Sequence, residues 1–187
     1  MPPPYIELKA RSAFSFGDGA VSAEALAERA AEFGYPSMAL VDSADLGGII
    51  RFALNAQPRG VKPIAGAEIR VEGRPIALLA RNKEGYRNLA HLVTRARLES
   101  SRGTPGLTLA EVAARSEGLH LLTGPPTGEI AHLLGRRGQQ AALEKLARWR
   151  EAFGDCMAVE VQRHHVSGVE EALAQALIEL ARKAGIA

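Results

Sequence analysis

A single cysteine, Cys156, stands in the 187-residue chain, so no internal disulfide is available. A fold that owes nothing to cross-links suits a reducing compartment, and a cytoplasmic location is expected. Cys156 follows Asp155 at an expected helix-to-strand turn, where a buried inert thiol is favoured over a nucleophile because no base is identifiable beside it. No apolar run reaches the roughly 18 residues that a membrane helix needs. Met-Pro-Pro-Pro at the start also lacks the charged and apolar regions of a signal peptide. Concentrated basic stretches are missing too. The 23 Lys and Arg are interspersed with 21 Asp and Glu, for a net charge of +2, so charge makes no independent case for nucleic-acid binding. There is no glycine-rich phosphate loop ending in Lys-Ser or Lys-Thr, no Gly-x-Ser-x-Gly elbow and no Cys-x-x-Cys. Gly17-Asp18-Gly19 and Gly47-Gly48 read as isolated turn or packing glycines.

What is present is an ordinary globular composition, 47% hydrophobic and 24% charged, sufficient for one good core, so a single domain over residues 1–187 is expected. Short apolar runs alternate with amphipathic ones, the pattern of parallel strands separated by helices. Strands are expected at Tyr5 to Leu8, Ser37 to Val41, Pro63 to Ala65, Ile76 to Ala80, Leu119 to Thr123 and Met157 to Gln162. Ser22 caps a helix whose face carries Leu26, Ala30 and Phe33 and which Gly34 stops. Leu46, Ile49, Ile50, Ala53 and Leu54 mark the next, ended by Pro58-Arg59-Gly60. Tyr86, Leu89 and Val93 mark another, and Thr108 with Glu111 forms a capping box for a short one. Gln139 to Phe153 and Val169 to Ala184 are the last two. Glu99 to Pro105 and Gly124 to Thr127 read as loops. Without hairpin signals, repeated β-then-α units favour a barrel or a wound sheet.

Leu8-Lys9-Ala10-Arg11-Ser12 leads into Phe14-Ser15-Phe16-Gly17-Asp18-Gly19, and Val41-Asp42-Ser43 closes the second expected strand. Gly66-Ala67-Glu68 follows Pro63-Ile64. Then come Leu78-Leu79-Ala80-Arg81-Asn82-Lys83-Glu84-Gly85-Tyr86-Arg87-Asn88-Leu89, Leu92-Val93-Thr94-Arg95-Ala96-Arg97 and Glu160-Val161-Gln162-Arg163-His164-His165. In order and spacing these resemble the N-terminal PHP (polymerase and histidinol phosphatase) domain of bacterial C-family DNA polymerases, the replicative or error-prone alpha subunits. The opening is most similar to the error-prone, lesion-bypass branch. The resemblance implies an α/β fold, a distorted seven-stranded β/α barrel of the TIM-like kind, with its metal site at the C-terminal ends of the strands. It also implies incompleteness, since a strand bearing Asp-x-His follows a segment like Leu180-Ala181-Arg182-Lys183-Ala184-Gly185-Ile186 in that family. A fragment of a longer polymerase is favoured over a minimal derivative, because a barrel left open exposes an edge.

Where the family has His-x-His-Ser and Thr-Asp-His, this chain has Lys9, Arg11 and Ser43. An ammonium or guanidinium has no lone pair to donate, so ligation is lost there. Asp18 and Glu68 match family ligands, but Asp before Gly is also an ordinary turn residue. Asp42 is read as a residual ligand at most and Asp45 as a helix cap. His164 and His165 are adjacent and point to opposite faces of an extended segment, while His91, His120 and His132 have no partner at metal spacing. Lys9 and Arg11 are expected to pair with Glu68 or Asp18 rather than hold a phosphate. The resemblance thus implies a degenerate, non-catalytic PHP module with no metal or other cofactor. Its partners would be the rest of a polymerase polypeptide or replication and lesion-bypass proteins, with DNA reached only indirectly and no membrane contact. The alternative is a residual metal-dependent phosphoesterase or 3′–5′ exonuclease using Asp18, Glu68, Asp42 and a histidine.

Overall fold

The computed structural model describes residues 5–99, 106–163 and 168–187. Within them one sheet carries helices on its outer face. The strands are β1 (Ser37–Ser43), β2 (Lys62–Val71), β3 (Arg74–Ala80), β4 (Gly106–Leu107), β5 (Leu119–Leu122) and β6 (Met157–Ala158). The helices are α1 (Ala23–Glu32), α2 (Gly47–Ala56), α3 (Lys83–Glu99), α4 (Leu109–Ala113), α5 (Glu129–Phe153) and α6 (Gly168–Ala184). The order across the sheet is β1-β2-β3-β5-β6, with β4 on β2.

Pairing is mixed, which departs from the expectation of uniformly parallel β-then-α units. β1 with β2 and β5 with β6 are parallel, but β3 runs antiparallel to both β2 and β5. The cause is a tight hairpin. Glu72 and Gly73 both take positive φ, 51° and 83°, the geometry that lets a two-residue turn match the twist of its flanking strands. Glu-Gly signals such a turn less strongly than Asn-Gly does. Other expectations shift in detail: β2 runs from Lys62 to Val71, longer than the expected Pro63 to Ala65, and β6 stops at Ala158 rather than Gln162. Tyr5 to Leu8 is extended but forms no strand, and touches β1 through Ala39 N donating to Glu7 O at 2.8 Å and a single bridge between Ala10 and Leu40. The helix expected from Gln139 is preceded by about two and a half further turns, since α5 starts at Glu129 and breaks at Gly138, φ 81°. Residues 100–105 of the expected loop, and His164 and His165, lie outside the described residues.

Alternation along each strand sorts side chains onto two faces. Met38 and Leu40 of β1 join Ala27, Ile49 and Phe52 beneath α1 and α2. Ile69, Ile76, Leu78, Leu119 and Leu121 pack with Leu89, Leu146, Trp149 and Leu180 beneath α3, α5 and α6. The opposite, inner face is filled by smaller groups, Ala39, Val41, Ala77, Leu79 and Leu122. Burial at this scale, at about 25 cal/mol per Å² of apolar surface, is what orders the sheet.

The capping box is fully formed. Thr108 N and Oγ1 each donate to Glu111 Oε2 at 2.8 Å, and Glu111 N donates to Thr108 Oγ1 at 3.3 Å. The Thr108 backbone N–H, with the Thr108 hydroxyl and Arg95 behind it, holds the Glu111 carboxyl down to about 2. A carboxylate with a lowered folded value contributes stability that is complete above its ordinary 4.5 and lost as pH falls toward about 2. Glu111→Gln should therefore melt below the parent at neutral pH, and the gap should close through that window in pH-dependent thermal melts. A gap that stays constant down to about pH 2 would contradict the capping account.

Candidate functional site

The inner face ends in polar side chains at the C-terminal ends of β1 and β2, where Ser43 lies opposite Glu68 in the register. A turn spanning Ser12 to Gly19 covers this end, closed by Ser15 N, Asp18 N and Gly19 N bonds to Ser12 O, Ser15 O and Ser15 O at 2.9, 2.9 and 2.8 Å. It brings Asp18 over Arg11. From the other edge of the sheet, the stretch after β6 delivers Glu160, whose N–H donates to Thr123 Oγ1 at 3.0 Å.

Four of the residues singled out in the sequence meet here with a fifth that was not. Lys9 Nζ donates to both Glu160 oxygens, at 2.8 and 3.1 Å, and lies 3.0 Å from Glu68 Oε2. Its hydrogen bonds go to Glu160, so Glu68 Oε2 sits at ion-pair distance yet accepts no directed hydrogen bond. Arg11 spans the other side, with NH2 2.7 Å from Glu68 Oε1 and NH1 2.6 Å from Asp18 Oδ2. The Lys9, Glu68 and Glu160 side chains are only 12%, 14% and 10% exposed, so mutual neutralisation replaces most of their hydration. Asp18 is exposed and forms the wet rim.

Asp42 is placed elsewhere. One residue before Ser43, it points to the opposite face of β1, is 2% exposed, and accepts from Ser12 N and Oγ at 2.8 Å each and Ser15 Oγ at 2.6 Å. Ser15 Oγ in turn accepts from Ser43 N at 3.0 Å. Asp42 thus pins the covering turn to β1. Asp45 is not the cap of α2 that the sequence leads one to expect, since the N-cap is Leu46, which makes no side-chain capping bond. Asp45, one residue earlier, accepts from Gly47 N at 2.5 Å, and its other oxygen pairs with Arg97 NH2 at 2.6 Å. Sequence reasoning missed Ser12, Ser15 and Glu160 as site residues. The signal for Glu160 was its place just past an apolar strand, the same position that Glu68 holds near the end of β2.

A divalent metal does not fit these residues. The Lys9 ammonium sits between the two buried carboxylates, and neither it nor the Arg11 guanidinium has a lone pair to offer. Among the described residues, no group of three or more His, Cys, Asp or Glu is arranged to hold an ion.

The sheet, its helical outer layer and a polar cluster at the strand ends define the class, and the chain belongs to the PHP domain family, whose model matches residues 7–164. Its similar curated proteins are DNA polymerases. A DNA polymerase III subunit alpha of Caulobacter vibrioides is 36% identical over 86% of this chain and 15% of that protein. An error-prone DNA polymerase of Anaeromyxobacter is 37% identical over 98% of this chain and 16% of that protein. The chain therefore spans about one-sixth of the curated relatives it matches. Two solved structures share the fold. A protein from Bifidobacterium adolescentis assigned as a metal-dependent phosphoesterase matches with a TM-score of 0.65 at 14% identity, over 99% of this chain and 85% of that one. An amidohydrolase from Chromobacterium violaceum, with bound sulfate and no metal, matches with a TM-score of 0.64 at 16% identity, over 97% and 84%.

Glu68 bridges both cations, so its loss should be felt in stability. Glu68→Gln leaves Lys9 with Glu160 and Arg11 with Asp18, and should cost about 2 kcal/mol in denaturant unfolding. Removing Arg11 in the same chain should recover part of that cost. A Glu68→Gln protein with parental stability would refute the ion cluster.

Proposed function

We propose that this chain is a degenerate, non-catalytic PHP domain, a single unit over residues 1–187, that serves as a structural module of a C-family DNA polymerase of the polymerase III alpha or error-prone type. The observation that carries the reading is the Lys9 ammonium between Glu68 and Glu160, a fixed cation at the strand ends. Lys9, Arg11 and Ser43 stand as former metal-site positions, with Asp18 and Glu68 retained as their counter-charges and Asp42 recruited to brace the covering turn. The share of the relatives' length that it spans supports a module within a larger polypeptide, whose remaining parts would be its partners and whose palm would contact DNA. A cytoplasmic place follows from the same reading.

In this reading the sheet is most of a distorted seven-stranded β/α barrel. An open groove of about 1010 Å³ runs along residues 5–11 and 158–163, which the Lys9–Glu160 pair bridges. Its walls include Tyr5, Leu8, Phe33, Met38 and Val161, and the Ala187 carbonyl accepts from Val159 N at 2.7 Å at its side. A further strand from the polymerase polypeptide would cover these apolar walls and close the barrel. The ammonium between the carboxylates weighs against a residual phosphoesterase or exonuclease, since those chemistries in this family resemblance rest on bound metal.

Elemental analysis and hydrolysis assays test the proposal together. The purified chain should carry well under about one tightly bound Zn, Mn or Fe and release no product above background from a phosphate ester or a 3′-end-labelled oligonucleotide, with or without added Mn²⁺. Stoichiometric metal with hydrolysis that Asp18→Ala abolishes would overturn it.

A further inference from the structure

The other end of the sheet has the opposite electrostatic character. A cavity of about 750 Å³ opens there, where β1, β2 and β5 begin and β3 ends, within the size range of small-ligand sites. Its mouth carries Lys62, Arg81 and Lys83 together with Tyr86 and His120, and among the described residues no Asp or Glu lines it. Leu8, Pro63, Ile64 and Leu79 supply an apolar floor.

Three cations meet at this cavity, and among the described residues its lining offers them no carboxylate. At the strand C-termini two cations face three carboxylates, and Arg29, Arg59, Arg74, Arg87 and Arg97 on the outer surface each pair with an acid. Among the described residues, Lys62, Arg81 and Lys83 make no ion pair, and the Arg81 guanidinium reaches only the Cys156 sulfur, at 2.6 Å. Like charges gathered without neutralisation repel, and an anion entering the cavity would relieve that repulsion. The first turn of the 17-residue helix α3 opens at Lys83 and adds its partial positive charge.

The run Arg81-Asn82-Lys83-Glu84-Gly85-Tyr86 supplies most of this mouth. Part of it has a structural role, since Asn82 Oδ1 accepts from Gly85 N at 2.9 Å and starts the helix. Among the described residues the Lys83 and Tyr86 side chains make no hydrogen bond and the Arg81 guanidinium reaches only Cys156 Sγ, while Tyr86 is 38% exposed. Burial, with the Arg81 guanidinium second, holds the His120 imidazole below its ordinary 6.5. At neutral pH it therefore presents an uncharged ring.

Cations for a phosphate, two rings for a planar group and an apolar floor together describe one ligand chemistry. We propose that this cavity binds a nucleotide unit, its phosphate held by Lys62, Arg81 and Lys83 and its base against Tyr86 and His120. The unit is either a free nucleotide or part of a single strand. This inference does not rest on the degenerate-site reading, since it uses different residues at the other end of the sheet.

Isothermal titration of the whole chain at low salt, without divalent metal, tests it with dATP, an oligothymidylate of about twelve nucleotides, inorganic pyrophosphate and a polyglutamate peptide. At least one of the first two should saturate with a Kd below about 1 mM. A dATP isotherm tighter than that of the oligomer assigns the site to a free nucleotide, and the reverse to a strand. The pair Lys62→Gln and Lys83→Gln should weaken nucleotide binding about tenfold or more, whereas Tyr86→Ala should weaken it but leave pyrophosphate unchanged. Amide chemical-shift changes in the parent should centre on residues 62–65 and 81–86, a readout that does not depend on how any variant folds. Absence of saturation by either nucleotide probe, binding indifferent to these substitutions, pyrophosphate or polyglutamate binding as tightly as nucleotide, or shifts confined to other residues would each overturn the proposal.

Discussion

The ammonium of Lys9 is the constraint on which this end of the fold depends. Glu68 arrives from β2 and Glu160 from the far edge of the sheet, and both carboxylates are almost shielded from water. Two such groups repel each other and lose hydration unless a cation or protons lie between them. Lys9 places that cation on the first extended segment, which has little ladder pairing of its own, so one side chain fixes both the charge balance and the position of residues 5–11. Arg11 extends the arrangement outward to Asp18.

The two ends of the sheet consequently differ. At the strand C-termini cations and carboxylates answer one another, and Asp42 is consumed in bracing the covering turn through Ser12 and Ser15. At the opposite end cations collect around a cavity that, among the described residues, no acid lines. A chain with nearly balanced net charge can hold both, because the balance over the whole sequence says nothing about where each sign collects.

Local signals read well because their physics is local. Ser22 caps α1, Gly34 ends it with a positive φ of 69°, and the Thr108–Glu111 box starts α4 as its spacing implies. The hairpin at Glu72-Gly73 escaped because Glu is an uncommon residue at positive φ, so the dipeptide carries little turn signal. At the site, the pairing of Lys9 and Arg11 with Glu68 followed from charge and motif position. Two features did not. Asp42 and Ser43 are neighbours in the motif but face opposite sides of β1, and only the register shows which of them shares the inner face with Glu68. Glu160 lies 151 residues from Lys9, and no short-range pattern encodes a contact of that span.

Thermal melting of the parent and of Lys9→Ala, each with EDTA and with added Mn²⁺, tests most directly whether Lys9 is the site's fixed counter-ion. The parent should melt at the same temperature in both conditions. Lys9→Ala should melt about 10 °C lower with EDTA and recover part of the loss with Mn²⁺, as a mobile cation takes up the exposed carboxylates. A parent whose melting temperature rises with Mn²⁺, or a Lys9→Ala protein as stable as the parent, would contradict the account.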